Sequence, residues 1–290
     1  MVVSTRLIAA DWGTTNRRVF LIEDGIVVSV ERDERGASVV KDYPAEIAAI
    51  RARVGDHPML LAGMVGSTIG WTAVPYLPAP AGMEELAAAA TEVGPGVRIV
   101  PGVSWQDGRR GDVMRGEEVQ LFGAVAAGMA PADGLLCQPG THCKWVVMES
   151  SRIVRFTTAM TGELFALLRT HGILAAQLRG TAKDGPAFRD GVAEGARGDL
   201  SASLFGIRAA GLLGLRDDAD AISFLSGLLI GSDVAQRLRD ANGAPVYILA
   251  GANLGALYTA AIDALGGTSH LVDTEAAFVA GIARIWSLIR

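Results

Sequence analysis

Asp11-Trp-Gly-Thr-Thr-Asn-Arg-Arg18 is the stretch on which the fold turns, because its design comes back later in the chain. In the first copy an apolar run, residues 7–10, meets Asp11, turns at Gly13 and presents Thr14 and Thr15. A second strand, 18–22, turns at Asp24-Gly25 and closes with a third, 26–30. In the second copy, residues 135–137 run into Gln138-Pro-Gly-Thr141, a strand follows over 144–148, and a turn at Ser150-Ser151 leads to 153–158. One common offset relates Gly13-Thr14 to Gly140-Thr141 and Asp24 to Ser151. Two such three-strand units, each with Gly-Thr at its first turn, predict two related lobes that grip one phosphate chain.

The bulk properties narrow the class. The chain has 290 residues, half of them hydrophobic and 20% charged, and a mean hydropathy of +0.32. It can bury a full core as one large domain or two modest ones. A net charge of -5, from 26 basic and 31 acidic residues, argues against a nucleic-acid binder held by counterion release. No apolar run is long enough to span a bilayer, and no secretory signal pattern is seen. Cys137 and Cys143 are the two cysteines, too few for a disulfide framework or zinc knuckle; a reducing cytoplasm is expected. A homodimer is left open.

Further along, residues 43–54 read as a helix with apolar Ile47, Ile50 and Val54, and 59–62 as a buried strand entering the glycine-rich turn Gly63-Met-Val-Gly-Ser-Thr68. The proline-bearing segment 71–82 reads as a loop, 98–100 as a strand, and 117–129 as a helix whose Gly123, Ala124 and Ala127 permit close packing. Helices over 162–174 and 219–241 flank a weakly patterned stretch, 179–199. A strand at 246–250 breaks at Gly251 and yields to a helix over 254–265. A strand near 270–272 and a helix over 275–290 end the chain. This alternation predicts α/β layers with mixed sheets. The expected lobes are 1–130, with helix 275–290 packing back on it, and 131–274.

Asp11 ends a buried strand, where an unpaired carboxylate would be costly; a magnesium-nucleotide would supply the missing charge, the metal keeping much of its hydration shell. Backbone N–H groups at a glycine turn and two threonine hydroxyls make a phosphate cradle. The plain structural alternative is a β-hairpin with a turn aspartate. Gly140, Thr141 and Lys144 repeat the arrangement, although a lysine at a strand start is ordinarily solvated. Asp112 and Glu117 are the two candidates for a base that accepts a hydroxyl proton during phosphoryl transfer; Glu117 and Glu118 are also simply favoured at a helix N-terminus. Gly251-Ala252-Asn253 would let adenosine approach, or would pass for a strand-to-helix turn capped by Asn253. Walker A, the dinucleotide glycine fingerprint and the nucleophile elbow are absent, and the four scattered histidines argue against catalytic zinc.

Asp11-Trp-Gly-Thr-Thr, the carboxylate-bearing segment before a helix, Pro139-Gly-Thr-His-Cys-Lys-Trp145 and Gly251 before a helix resemble, in order, the phosphate 1, connect 1, phosphate 2 and adenosine motifs of the sugar kinase, actin and heat-shock ATPase superfamily. Within it the chain is similar to the 2-dehydro-3-deoxygalactonokinase family along nearly its whole length. The supporting motifs are Gly63-Met-Val-Gly-Ser67 with Gly70-Trp71 and Pro75-Tyr76, Val113-Met-Arg-Gly-Glu-Glu118, Met160-Thr-Gly-Glu-Leu-Phe165 and Leu225-Ser-Gly-Leu-Leu-Ile-Gly231. The resemblance implies a two-lobed, actin-like (ribonuclease H-like) α/β fold, each lobe a mixed sheet flanked by helices, with ATP in the cleft. It implies ATP and Mg2+ as cofactors, Asp11 on the metal, and transfer of the γ-phosphate to the 6-hydroxyl of 2-dehydro-3-deoxy-D-galactonate. On the substrate side it implies Arg17, Ser67, Thr68, Trp71, Arg115, Thr161 and Glu163. The family often has a basic residue where this chain has Thr68; if that residue holds the substrate carboxylate, Arg17, Arg18 or Arg115 must serve here instead.

Four rivals stand beside this reading, one of them chaperone-like, which would need a substrate-holding domain for peptides that the sequence does not show. A kinase for another 2-keto-3-deoxy sugar acid, such as 2-dehydro-3-deoxy-D-gluconate, would share every motif. The Arg115-Gly-Glu-Glu118 segment also resembles exopolyphosphatases, whose water nucleophile needs no sugar pocket; the loop with Trp71 and Tyr76 instead suits an organic substrate. A sugar-sensing regulator would carry a DNA-reading module and a basic excess, and neither is seen.

Overall fold

A computed structural model describes residues 6–289, which fall into two compact units: 6–132 with 149–155 and 274–289, and 133–148 with 156–273. Arg290, the expected end of the last helix, lies outside the described residues.

Unit 1 opens on β1 (Arg6–Trp12), β2 (Arg17–Glu23) and β3 (Ile26–Asp33), followed by α1 (Tyr43–Val54) and β4 (Met59–Gly63). Next come β5 (Leu77–Pro78), α2 (Met83–Ala88), β6 (Thr91–Gly94), β7 (Val97–Ile99), β8 (Val103–Gln106), β9 (Gly111–Met114) and α3 (Glu117–Ala126). The main sheet has the order β3-β2-β1-β4-β7-β6, and β5-β8-β9 form a small second sheet. β1 lies between antiparallel β2 and parallel β4, and its consecutive residues 7–10 are all buried, so both faces are covered and it reads as an apolar run rather than an alternation. Edge strand β3 ends in Glu31, Arg32 and Asp33, charges that discourage further pairing. α1 begins where the Asp42 side chain accepts the Ala45 N–H and packs Ile47 and Ile50 into a core shared with Ile8, Trp12, Met59 and Leu61.

Unit 2 contains β10 (Gly134–Gln138), β11 (Cys143–Glu149), β12 (Arg152–Ala159), α4 (Thr161–Thr170), α5 (Pro186–Ala196), α6 (Leu200–Leu212), α7 (Asp218–Ala241), β13 (Val246–Leu249), α8 (Ala252–Ala264) and β14 (Ser269–Val272), except that the 149–155 turn, with the end of β11 and the first half of β12, groups with unit 1. Its sheet has the order β12-β11-β10-β13-β14, repeating β3-β2-β1-β4 of the first. α9 (Thr274–Ile289) packs on α3 within unit 1. There Gly123 meets the Ala277 carbonyl, and Gly281 meets Val119, so closely that neither has room for a β-carbon.

The duplication departs from a single offset. Asp24-Gly25 and Ser150-Ser151 are both two-residue turns with positive φ throughout, the type that matches strand twist, so Asp24 answers Ser150 and not Ser151. The first loop is longer in the second copy, with 139–143 between paired Gln138 and Lys144 against 13–16 between Trp12 and Arg17. Residues 186–196, expected to be weak, form α5, whose Gly191 and Gly195 meet carbonyls of α7 while Gly227 and Gly231 of α7 meet carbonyls of α5. Ala127, expected to aid packing, is the exposed C-cap of α3.

Candidate active site

In each unit two parallel strands end side by side. Trp12 of β1 pairs with Gly63 of β4, and Cys137 of β10 with Ile248 of β13. Ligands of open α/β sheets gather beyond such strand ends.

Beyond β1 the 13–16 turn is held from behind. The carbonyls of Gly13, Thr14 and Thr15 accept the backbone N–H groups of Ala37, Ser38 and Gly36. That backing leaves Thr14 and Thr15 exposed on the free side, beside a cavity of about 510 Å³ lined by Asp11, Gly13, Asn16, Arg17, Arg18, Arg32, Asp33 and Glu34. Asp11 is not unpaired, as expected from sequence. It lies opposite Arg18 in the strand register, and the two side chains form an ion pair. Arg18 also stands 3.9 Å from Glu275 at the start of α9.

Arg17 corrects a second expectation. Its side chain is fully buried, with Nη2 2.6 Å from Asp33 and Nη1 2.9 Å from Glu46, and its guanidinium lies 4.6 Å from the Trp12 ring centre. It ties the hairpin to α1, with both of its carboxylate partners supplied by the protein itself. Burial alone would raise the Asp33 and Glu46 pKa values. The hydrogen bonds from Arg17 and Arg35 outweigh it and leave both below the usual carboxylate range.

Gly116, at φ 105°, packs against Gly63 and brings the N-terminus of α3 to the end of β4. The Glu117 Oε2 accepts the Arg115 N–H at 3.0 Å. Glu118 is wholly buried, and both its carboxylate oxygens accept the Gly116 N–H. Burial, with Glu117 adding like charge, pushes its pKa up to about 8. Asp112 lies instead within β9, opposite Trp105, and its Oδ1 accepts the Val113 N–H at 2.8 Å. Arg115 is buried, donates to the Val74 carbonyl at 2.7 Å and lies 4.3 Å from the Tyr76 ring centre. Its Nε and Nη1 are buried without hydrogen-bond partners.

The loop residues divide. Ser67 bonds back to the Met64 carbonyl at 2.7 Å, and Thr68 is exposed. Trp71, expected against the substrate, stacks on Tyr43 at 5.8 Å and packs against the first core. It anchors the loop while staying partly exposed.

Beyond β10, Gly140 and Thr141 meet the start of α4. The Thr141 carbonyl accepts the Glu163 N–H at 2.9 Å, and a β-carbon on Gly162 would overlap the Gly140 carbonyl oxygen. His142 Nε2 lies 2.6 Å from Glu163 Oε2. Thr161 and Glu163, expected on the substrate side, thus buttress the second glycine turn within unit 2. Lys144 is buried, not solvated, on the face of β11 opposite Cys143 and Trp145. Cys137 and Cys143 are buried with sulfurs 3.6 Å apart, and burial pushes both thiols up.

A cavity of about 630 Å³ opens beside this turn. It is lined by Gly140 and Gly162 at the turn, by Asn253, Leu254 and Leu257 of α8, and by Phe165, Leu229 and Ile230. Gly251 is the N-cap of α8, so Asn253 sits in the first turn and is not the cap. Sequence reasoning missed Phe165, Lys183 and Asp233. Asp233 is a buried carboxylate of α7 that accepts Trp145 Nε1 at 3.0 Å, Thr161 Oγ1 at 3.1 Å and Tyr258 OH at 3.4 Å. Burial raises its pKa against those hydrogen bonds. Its only signal in the sequence is a lone acid at the end of an apolar run, Ile222 to Ile230.

Comparison with known proteins follows the same lines. The 2-keto-3-deoxy-galactonokinase family model matches residues 11–285. A 2-dehydro-3-deoxygalactonokinase of Escherichia coli (strain K12) is 38% identical over 290 residues, covering 98% of each chain. A crystal structure from Sinorhizobium meliloti, assigned provisionally to the same activity, superposes with a TM-score of 0.90 at 33% identity over 97% of each chain. The Clostridium difficile activator of 2-hydroxyisocaproyl-CoA dehydratase, with ADPNP bound, is similar in fold alone: TM-score 0.53, 9% identity, covering 99% of this chain and 96% of that one. The architecture is that of the actin-like ATPases. Among the described residues no helix is long and apolar enough to cross a membrane.

Proposed function

Because the chain belongs to the 2-keto-3-deoxy-galactonokinase family, we propose that it transfers the γ-phosphoryl group of ATP to the 6-hydroxyl of 2-dehydro-3-deoxy-D-galactonate, with a glycine turn in each unit built to receive phosphate. The observation that carries this reading is the common construction of those turns. Each follows a β-strand flanked by a parallel neighbour, and each has its threonine carbonyl bonded from behind. The cavity running from Gly140 to Asn253 and Leu257 has the size and apolar lining that suit a nucleoside. Polyphosphate cleavage would not need such a cavity, which places that rival lower.

Asp11 is the carboxylate placed to hold magnesium. No cluster of three or more acidic, histidine or cysteine ligands exists among the described residues. A single carboxylate completed by water and phosphate oxygens fits how magnesium is ordinarily bound. The ion, when bound, neutralises phosphate charge. Arg18, paired with Asp11 on the cavity wall, supplies further positive charge at the turn. Thr14, Thr15 and Thr141 offer hydroxyls to phosphate oxygens.

Glu117 is the base we assign to the 6-hydroxyl proton, since α3 begins at the strand end that β1 and β4 share. Asp112 lies on the separate small sheet. As the O6–phosphorus bond forms and the bond to the departing ADP oxygen breaks, Glu117 takes the proton. With Arg17 committed to Asp33 and Glu46, and Arg18 to Asp11, Arg115 becomes the counter-charge for the substrate carboxylate, because two of its buried N–H-bearing nitrogens meet no acceptor.

The test is coupled ADP release over a panel of 2-keto-3-deoxy sugar acids, with the galactonate-derived acid giving the highest kcat/KM. Equal ATP turnover without any sugar acid would overturn the kinase assignment. Asp11→Asn is expected to depress turnover far more than it lowers the melting temperature. Full turnover in that variant would remove Asp11 from the site.

A further inference from the structure

The carboxylate of Asp233 belongs to no step above, yet it bonds side chains that line the 630 Å³ cavity. It is 7% exposed, and a single oxygen, Oδ2, collects hydrogen bonds from three elements: Trp145 on β11, Thr161 on α4 and Tyr258 on α8. Cys143 on β11 adds a weaker contact. Thr161 and Tyr258 themselves line the cavity. Retaining a carboxylate in such surroundings costs several kcal/mol, and packing alone would be served as well by an apolar residue. The three donors come from three different elements, β11, α4 and α8, and meet at this one oxygen. Thr161 opens α4, whose next two residues back the Gly140–Thr141 turn. Tyr258 lies about one helical turn beyond Leu254, and both line the cavity from α8. Trp145 follows Lys144 in the strand that leaves the turn.

We propose that Asp233 is a positioning residue for the nucleotide, a single acceptor that fixes the spacing between the second phosphate turn and the nucleoside wall of α8. The proposal rests on reading this cavity as the nucleotide site. Asp233 touches neither substrate nor phosphate in this role; it acts through Thr161 and Tyr258. The consequence is a selective one: loosening the acceptor should weaken binding of ATP and leave the sugar acid alone.

Asp233→Asn, Thr161→Val and Tyr258→Phe are close to isosteric, and each removes or weakens one part of the network. Asp233→Asn is expected to raise the KM for ATP by about 10-fold or more, in line with loss of charge-assisted hydrogen bonds, while the KM for the sugar acid stays within about twofold. It should also shift the emission of Trp145, which loses a charged neighbour. Thr161→Val and Tyr258→Phe should raise the ATP KM singly but add little in the Asp233→Asn background, because residues of one network are not additive. A merely structural Asp233 would lower the melting temperature and leave the ATP KM unmoved, and that result overturns the proposal. If Asp233→Asn does not fold, the two partner variants and their double mutant decide, with unchanged ATP KM in all three counting against it. Ala256→Trp separates the proposal from its premise by filling the cavity. Undiminished ATP binding in that variant would refute the cavity as nucleotide site. ATP binding lost there but unaffected in the three network variants would refute only the role of Asp233.

Discussion

Gly162→Ala tests the second glycine turn with one methyl group. A β-carbon built on Gly162 would overlap the Gly140 carbonyl oxygen and stand 3.0 Å from both the Gly140 carbonyl carbon and Thr141 Cα. Carbon atoms pack at about 3.5–4.0 Å, so the turn must retreat by roughly 1 Å, or α4 must. Both options break the Glu163 N–H bond to the Thr141 carbonyl. Overpacking of this kind costs about 1–3 kcal/mol of stability, which a chain of this size should survive. A 1 Å displacement at a reacting group can cost about 100-fold in rate. The expectation is therefore a fall in kcat/KM for ATP of about 100-fold, measured by coupled ADP release, in a protein that still melts cooperatively. Gly206→Ala is the matched control: Gly206 lies inside α6 with nothing within 4 Å of the added carbon, and alanine there should stabilise by about 0.5–1 kcal/mol. A Gly162→Ala enzyme within about threefold of wild type would mean that the 139–143 turn does not hold the phosphates.

Arg17→Met should destabilise the fold by about 3 kcal/mol in urea unfolding, the low end for breaking a buried pair, because Asp33 is partly solvated; an unchanged midpoint would contradict the buried-tie reading. Asp33 and Glu46 have lowered pKa values in the folded protein, so their contribution is present above the unfolded carboxylate values and lost as pH falls through the folded ones. The variant should accordingly show a shallower acid limb. Glu118 has the opposite sign: with its folded pKa raised to about 8, the native state binds the extra proton and stability falls as pH rises from about 4.5 to 8. Glu118→Gln should flatten that slope, and an unaltered pH–stability curve would show the carboxyl to be ionised throughout. Glu117→Gln should lower kcat by about 100-fold or more while Asp112→Asn leaves it nearly intact; the reverse result would move the base to β9.

The duplicated hairpins were legible because their evidence is local. Apolar runs, turn pairs and Gly-Thr each announce themselves within a few residues, and α1 begins and ends where the apolar spacing places it. Arg17 was misread although the signal was present. Neighbouring strand residues point to opposite faces, so the partner that shares a face with Asp11 is Arg18, directly across the hairpin, and Arg17 must go with Trp12. α5 was missed because the glycines that let it lie against α7 also weaken its helical pattern. The strands β8 and β9, four residues each, are too short to show a period, and this hid the placement of Asp112. Thr161 and Asp233 are 72 residues apart, and no local pattern links them.

The junction of α9 with α3 reaches beyond catalysis. During synthesis the Gly123 face of α3 leaves the ribosome long before Gly281, its complement, has been translated. Unit 2, with every element ahead of residue 274, can mature on the nascent chain while unit 1 still lacks its closing helix. A stop codon just after Asp273 would thus strip the cover from the earlier half of the molecule and leave the later half its full set of strands and helices.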